Sequence, residues 1–488
     1  MNSSLIPILD YALKKAKNIK NKNLENQIEY SQYFTNIDIG QYMASLASSQ
    51  KIKNKNSLSI VEPGIGSGIL SLSLIKYALS QNENINKIDL LSFEIDPYLA
   101  DKTITLLNEL QQNLLKENIT FNFTLKKTNF LYYQSELNCY DFAIINPPYK
   151  KIKSNSDLAK YLKNKNISHT NLYSSFLELI ITKMDYNSEI ISITPRSFTN
   201  GHYFNDFRKK IFQISHLKSI NVMDSRKIFD DVLQEFVICK FSTSLKSLKN
   251  EVEVNIVDEK LHALSSNFFK ENDIINYHDY YKIRIPILCS TTNILETKLS
   301  DLPFTVSTGP IVDFREGKNF ATNTPDLFSI PYIFPEHFNS ENMTIEWPKV
   351  NIKKFNYINF DYKIKNKLRA AGNYVVVKRF SSKEEDKRIV ASLIPESVSP
   401  SYIAFDNKVN YFHINKNGLD INLAKGLCVY LNTETFDNLF REYSGSTQVN
   451  VSDLKSLPYP TKDQLLKLHE IFSSVKNADK ALDILLQK

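Results

Sequence analysis

Short apolar runs alternate with longer stretches of helical spacing along the first half of the chain. "LSIVE" (58–62) has the pattern of a buried strand, and "ILSLSLIKYAL" (69–79) follows it as an apolar helix. "IDLLSFE" (88–94), "FNFTL" (121–125), "YDFAII" (140–145) and "EIISIT" (189–194) predict further strands. "LADKTITLLNELQQNLL" (99–115), "NLYSSFLELIITKM" (171–184) and "YFNDFRKKIFQI" (203–214) predict the helices between and after them. "SINVM" (219–223) and "EFVICKF" (235–241) are close enough to form an antiparallel hairpin at one edge. Strands alternating with helices predict an α/β fold, a Rossmann-like doubly wound sheet with an antiparallel edge strand. The expected domain runs from 30 to 243, after a basic helical segment at 1–29.

The pattern weakens beyond that point. "GNYVVVKRF" (372–380) and "NYFHI" (410–414) are strand-like, and loops rich in Asn, Ser and Pro separate them. A second, α+β domain is expected over 244–488, with the tail (461–487) as one amphipathic helix. No internal repeat of fixed period is present.

Composition adds bounds. With 42% hydrophobic and 23% charged residues the chain is globular. It has no apolar run long enough to span a bilayer and no basic, apolar leader, so a cytoplasmic protein is expected. Cys139, Cys239, Cys289 and Cys428 stand too far apart for a Cys/His metal pattern, so buried free thiols and no metal are expected. The net charge of +7 permits a nucleic-acid partner without requiring one. Its distribution says more: "KKAKNIKNKN" (14–23), "KIKNK" (51–55) and "KKIKSNSDLAKYLKNKN" (150–166) are basic and nearly free of acid.

Candidate chemistry gathers at strand ends. In "VEPGIGSGIL" (61–70), Gly64, Gly66 and Gly68 allow a tight turn and a close ligand approach, but the spacing is not the full dinucleotide fingerprint. Glu62 before them would repel a pyrophosphate and suits a cationic ligand such as S-adenosylmethionine. Glu94 ends the second strand, where a carboxylate can hold a ribose. Asn129 and Phe130 follow the third. The fourth strand ends in "NPPY" (146–149). There Asn146 offers a side-chain carbonyl, and Pro147 a backbone carbonyl. The two prolines fix the backbone and so preorganise both acceptors. Two such acceptors, set at the hydrogens of a conjugated exocyclic amine, would draw its lone pair out of the ring. Tyr149 offers a face on which a planar base can stack.

These motifs together resemble the S-adenosylmethionine-dependent methyltransferases that modify DNA adenine at N6. "NPPY" is their catalytic motif, Asn146, Pro147, Pro148 and Tyr149. "QYFTNIDIGQYMA" (32–44) resembles the motif that holds the cofactor's methionine end, with Thr35 the matching polar residue and Tyr33 and Phe34 weaker matches. Its position ahead of the glycine loop is the order of the gamma group. "ITPRSFTNGHYFNDFRKKIF" (193–212) and "IFDDVLQEFVICKF" (228–241) resemble later motifs, and in the second Phe229 matches the aromatic that packs on the flipped base. "GNYVVVKRFSSKEED" (372–386) and "SGSTQVNVSDLKSLPYP" (444–460) resemble the target-recognition half of PstI/BsuBI-type modification enzymes.

The resemblance implies that Thr35, Glu62, Pro63, Gly64, Gly66 and Gly68 bind S-adenosylmethionine, which leaves as S-adenosylhomocysteine. It implies the same for Glu94, Ile95, Asn129, Phe130 and Asn146; many relatives carry Asp where Asn129 stands. Expected DNA contacts are Lys150, Lys151, Lys153, Arg196, Lys378 and Arg379. Expected partners are double-stranded DNA and a separate cognate restriction endonuclease, with the enzyme a monomer or dimer. The sequence has no Pro-Cys pair, so cytosine-C5 chemistry is not supported. RNA adenine and a protein amide remain alternative acceptors, the amide disfavoured by the long second half. A recognition module without catalysis is the rival of another class, and the intact NPPY and glycine loop weigh against it. A fused nuclease is not expected, with about thirty residues ahead of the first motif.

Overall fold

The computed structural model describes residues 4–19, 35–167, 169–223, 235–243, 250–286, 295, 297–313, 315, 320–381, 385–444 and 447–486. Two compact units divide the chain, Met1–Ile285 and Pro286–Lys488.

The first unit is built on a nine-stranded sheet. Its strands are β1 (Ser57–Pro63), β2 (Lys87–Phe93), β3 (Thr120–Lys126), β4 (Phe142–Ile145), β5 (Glu189–Pro195), β6 (His216–Met223), β7 (Phe236–Ser242), β8 (Glu251–Val257) and β9 (Ala263–Lys270). They lie in the order β3-β2-β1-β4-β5-β7-β6-β8-β9. The first five are mutually parallel, and β7 runs antiparallel between β5 and β6. All four residues of β4 are buried, as a central parallel strand covered on both faces requires.

The helices pack on both faces. α1 (Leu5–Lys17), α2 (Ile37–Ser45), α3 (Ile69–Gln81) and α4 (Pro97–Lys116) share one apolar core through Leu9, Leu13, Met43, Leu72, Ile75 and Leu107. α5 (Asp157–Asn164), α6 (Leu172–Lys183) and α7 (Asn205–Ile214) share the other through Leu162, Phe176, Leu177, Phe207 and Ile211. The apolar runs form a sheet because only a structure covered on both sides can bury them.

Several features depart from the sequence reading. The β6–β7 hairpin lies inside the sheet, because β8 pairs parallel to β6 and β9 supplies the antiparallel edge. This carries the first unit to Ile285, beyond the expected boundary at 243. The N-terminal helix is part of the core: Leu5, Leu9, Ala12, Leu13 and Ala16 are buried, and Lys15 and Asp10 pair with Glu109 and Lys76. Of the cysteines, Cys239 and Cys428 are buried, Cys139 is exposed, and Cys289 lies outside the described residues.

The second unit holds a six-stranded and a five-stranded sheet. Tyr374–Lys378 and Val409–His413, both expected as strands, pair antiparallel in the larger. Its helices include α8 (Ile421–Leu431), α9 (Lys462–Val475) and α10 (Ala478–Leu486). The tail is therefore two helices. Lys476 turns left-handed at φ 53°, and the Asn477 side chain accepts from Lys480 N at 2.9 Å to start the second. No helix among the described residues is long and apolar enough to cross a membrane.

α8 crosses α9 at Gly426, where an added Cβ would overlap the Leu465 carbonyl. Gly426→Ala is expected to force these helices apart and lower the thermal unfolding midpoint by several degrees, measured by circular dichroism. An unchanged midpoint would show that the crossing is not tight.

Candidate functional site

The strand order reverses between β1 and β4, and such a reversal opens a crevice at the carboxyl ends of the strands. The register aligns the loops there, with Pro63 beside Phe93 and Phe93 beside Lys126. Gly64 N and Ile65 N both donate to the Phe93 carbonyl, at 2.9 and 2.8 Å, and pin the glycine loop to the end of β2. Gly64, Gly66 and Gly68 have φ of 81°, 51° and 84°, a region costly for other residues. A Cβ on Gly64 or Gly66 would meet no protein atom, so the loop borders open space.

Glu94 is buried behind that loop. Its carboxylate accepts from Gly66 N and from Asp96 N, each at 2.9 Å. Burial raises its pKa, and the two backbone N–H groups oppose the rise. Glu62 lies deeper, 1% exposed. It accepts from Ser71 N at 3.0 Å and from the Ser71 hydroxyl, at the start of α3, where the helix dipole favours an anion. Burial pushes its pKa up to about 8. The acid expected to face a cationic ligand is thus also committed to a helix end. It still lines a small cavity of about 40 Å³ with Thr35, Gly64, Gly66 and Asn146.

The Asn-Pro-Pro-Tyr corner follows β4 on the same edge. Asn146 Nδ2 donates to Thr35 Oγ1 at 2.9 Å, and the Tyr149 hydroxyl donates to Asn146 Oδ1 at 2.5 Å. Thr35 is placed by the next residue, since Asn36 caps α2 by accepting from Ile39 N at 2.7 Å. Tyr149 packs against both core clusters, its ring 5.1 Å from that of Phe236 and 6.4 Å from that of Tyr173. The Asn146 carboxamide is therefore oriented from both ends.

A larger cavity of about 380 Å³ joins these parts. Gly64, Gly66, Glu94, Ile95, Asn129, Phe130, Asn146 and Pro148 line it. Ile95 is nearly half exposed, while Phe130 is buried edge-on against Phe93 at 5.1 Å. Asn129 Oδ1 accepts from Leu131 N at 3.0 Å and so caps the turn that carries Phe130.

Other expected residues lie differently. Lys150, Lys151 and Lys153 line the same cavity, because Ile152 N and Leu172 N bond to Thr170 O and Lys150 O and fold the basic loop over it. Arg196, expected on a nucleic-acid surface, is 3% exposed and pairs with Glu235 at 3.1 Å. Burial removes it from any surface contact. The Arg379 guanidinium donates to Asn407 O at 2.9 Å and lies over the Phe380 ring. Lys378 is half-buried at its strand end. Phe229, with Tyr33 and Phe34, lies outside the described residues.

Phe236 and Tyr173 escaped the sequence reading. The strand-end motifs mark carboxyl ends, but β7 is antiparallel, so its amino end brings Phe236 beside Pro195 at the same edge.

The family model for the Eco57I restriction-modification methylase matches residues 11–229. The type II methyltransferase M.BsuBI of Bacillus subtilis is 36% identical, over 95% of this chain and 94% of that protein. The chain belongs to the type II methyltransferases of restriction–modification systems. M.PstI of Providencia stuartii, another type II methyltransferase, is 34% identical over 88% of each chain. The solved type IIL restriction-modification enzyme MmeI, in complex with DNA, shares the fold at a TM-score of 0.56 and 12% identity, over 99% of this chain and 74% of its own.

In this type II methyltransferase two substitutions probe the site. Thr35→Val removes the acceptor for Asn146, and Tyr149→Phe removes the donor to it but keeps the ring. Thr35→Val is expected to lower kcat about tenfold or more in steady-state assays, as loss of an orienting hydrogen bond does, and Tyr149→Phe, which loses a bond to Asn146 but keeps the ring, by a smaller factor. An unchanged kcat in both would deny the orienting role.

Glu62 gives a pH signature. Its folded pKa of about 8 exceeds the ordinary 4.5, so between those values the folded chain holds a proton that the unfolded chain has lost. Stability therefore falls as pH rises through that window. The midpoint of Glu62→Gln is expected to fall less than that of the unsubstituted protein between pH 5 and 8. Parallel curves would show that Glu62 is ionised when folded.

Proposed function

We propose that the protein transfers a methyl group from S-adenosylmethionine to the N6 amine of an adenine flipped out of duplex DNA. The observation that carries this is the Asn146 carboxamide, held between Thr35 and Tyr149 at the edge of a cavity that the glycine loop also lines.

The cavity's chemistry fits the cofactor. Room beyond Gly64 and Gly66 suits a close approach, and the Glu94 carboxylate suits ribose hydroxyls. Ile95 and Phe130 suit an adenine ring, and Thr35 suits the ammonium of a methionine end, as does Glu62 once that cation lowers its raised pKa. S-adenosylmethionine supplies a methyl on a sulfonium, which an amine can take by one in-line displacement, the carbon–sulfur bond breaking to leave S-adenosylhomocysteine and the methylated amine losing a proton to water.

The chain's own residues ready the amine. Asn146 Oδ1 exchanges the Tyr149 hydroxyl for one amine hydrogen, and the Pro147 carbonyl accepts the other. Both acceptors localise the lone pair, and Pro147 and Pro148 keep them from relaxing. Tyr149, backed by Phe236, stacks on the base, and Phe229 is its proposed second partner. Acceleration comes from positioning and fixed dipoles. The enzyme would work in a bacterial cytoplasm, as a monomer or dimer, as the protective partner of a separate endonuclease.

Labelled S-adenosylmethionine offered with duplex DNA, RNA and protein, followed by nucleoside and amino-acid analysis, tests this. Label is expected in N6-methyladenine of DNA. Label in N4-methylcytosine, in RNA or in a protein amide would overturn the proposal.

A further inference from the structure

The second unit holds a concentration of positive charge that the site above does not use. Between Trp347 and Arg369 stand seven Lys or Arg and one acid, Asp361, a net of +6 in a chain whose total is +7. Part of this is committed internally. Lys349 pairs with Glu346 at 3.3 Å, Lys354 with Asp313 at 2.6 Å, and buried Arg369 donates to the Tyr411 hydroxyl at 2.7 Å.

Lys363 and Lys365 differ. Both are exposed, and neither is in an ion pair among the described residues. They stand with half-exposed Lys367 on a turn fixed from below. Ile364 and Leu368 are buried with Ile330 and Ile358, and Lys367 N donates to Ile364 O at 2.8 Å. The Asp361 carboxylate keeps its charge but pairs with neither Lys363 nor Lys365; it accepts from Lys363 N at 2.7 Å to shape the turn.

Rings and an aliphatic tip lie beside the lysines. Tyr362 is 82% exposed, with its ring 5.6 Å from that of Phe360. Phe360 N donates to Phe328 O at 2.9 Å and brings a second turn alongside, where Leu327 is 99% and Phe328 67% exposed. Asp326 of that turn is likewise consumed locally, accepting from Phe328 N at 2.8 Å. A rigid surface of exposed lysines with apolar rings complements a polyanion that also presents flat, apolar groups.

We propose that Tyr362, Lys363, Lys365 and Lys367, with Leu327 and Phe328, form a duplex-DNA contact of the second unit. The lysines hold phosphates, and the rings and Leu327 meet sugars and base edges in a groove. This rests on the DNA-methylation reading and locates its grip away from Arg379, whose guanidinium is held by Asn407.

The test uses the full chain, unmethylated plasmid fragments, fluorescence anisotropy over a range of salt, and a parallel methylation assay. Lys363→Gln/Lys365→Gln is expected to bind about tenfold more weakly, with a log K against log salt slope shallower by roughly two, one for each lysine. Tyr362→Ser is expected to weaken binding at an unchanged slope. Both keep Ile364, and an unshifted unfolding midpoint confirms the fold. If the double variant binds with unaltered affinity and slope while the unsubstituted protein methylates the fragments, this surface is wrong and the DNA reading stands. If the unsubstituted protein neither binds nor methylates duplex DNA, the reading fails and the surface with it.

Discussion

The Asn146 carboxamide is the point on which the first unit converges. A side-chain amide at a strand end has two free torsions and in water would sample both orientations. Here Thr35 takes its N–H and Tyr149 supplies its O–H partner, so the oxygen faces one way. Each partner is held in turn. Thr35 precedes a capped helix that approaches α3 closely at Gly40, where an added Cβ would lie 2.8 Å from Ile69 Cγ2. Tyr149 is packed into both apolar layers at once. A buried β4 anchors the corner from behind, and two prolines leave it little backbone freedom.

The interaction carries a built-in exchange. The oxygen proposed to receive the substrate amine already holds a hydroxyl, so the acceptor is never left without a partner in a partly buried site. Binding then swaps one donor for another instead of stripping water from a naked carbonyl, which limits the desolvation cost. The same economy recurs at Glu94, whose oxygens are held by Gly66 N of the loop that would meet the ligand and by Asp96 N.

Much of the first unit was legible because its physics is local. Period and strand length revealed β1 to β7, and glycine, acid and proline at strand ends marked the edge that the sheet aligns. What was not legible depended on distant partners. β9 reads "ALSSNFFK", mostly exposed, and only its pairing with β8 makes it a strand. Arg196 looked like a surface cation because its ion-pair partner, Glu235, is 39 residues away. Phe236 sits at an amino end, which comes to the site only because β7 is antiparallel. In the second unit, Lys378 and Arg379 stood out in a charged run, yet a backbone carbonyl holds half-buried Arg379, whereas Lys363 and Lys365 stand exposed on a turn whose acid accepts from a backbone N–H.

The central claim is that Asn146 serves chiefly to ready the amine, with its contact to the cofactor secondary. Asn146→Ala, followed by S-adenosylmethionine binding in a calorimeter and by single-turnover methylation of duplex DNA, separates the two roles. Cofactor affinity within a few-fold of the unsubstituted protein, with a methylation rate lower by about a hundredfold to a thousandfold, is the predicted result. A variant that methylates DNA at an undiminished rate would contradict it.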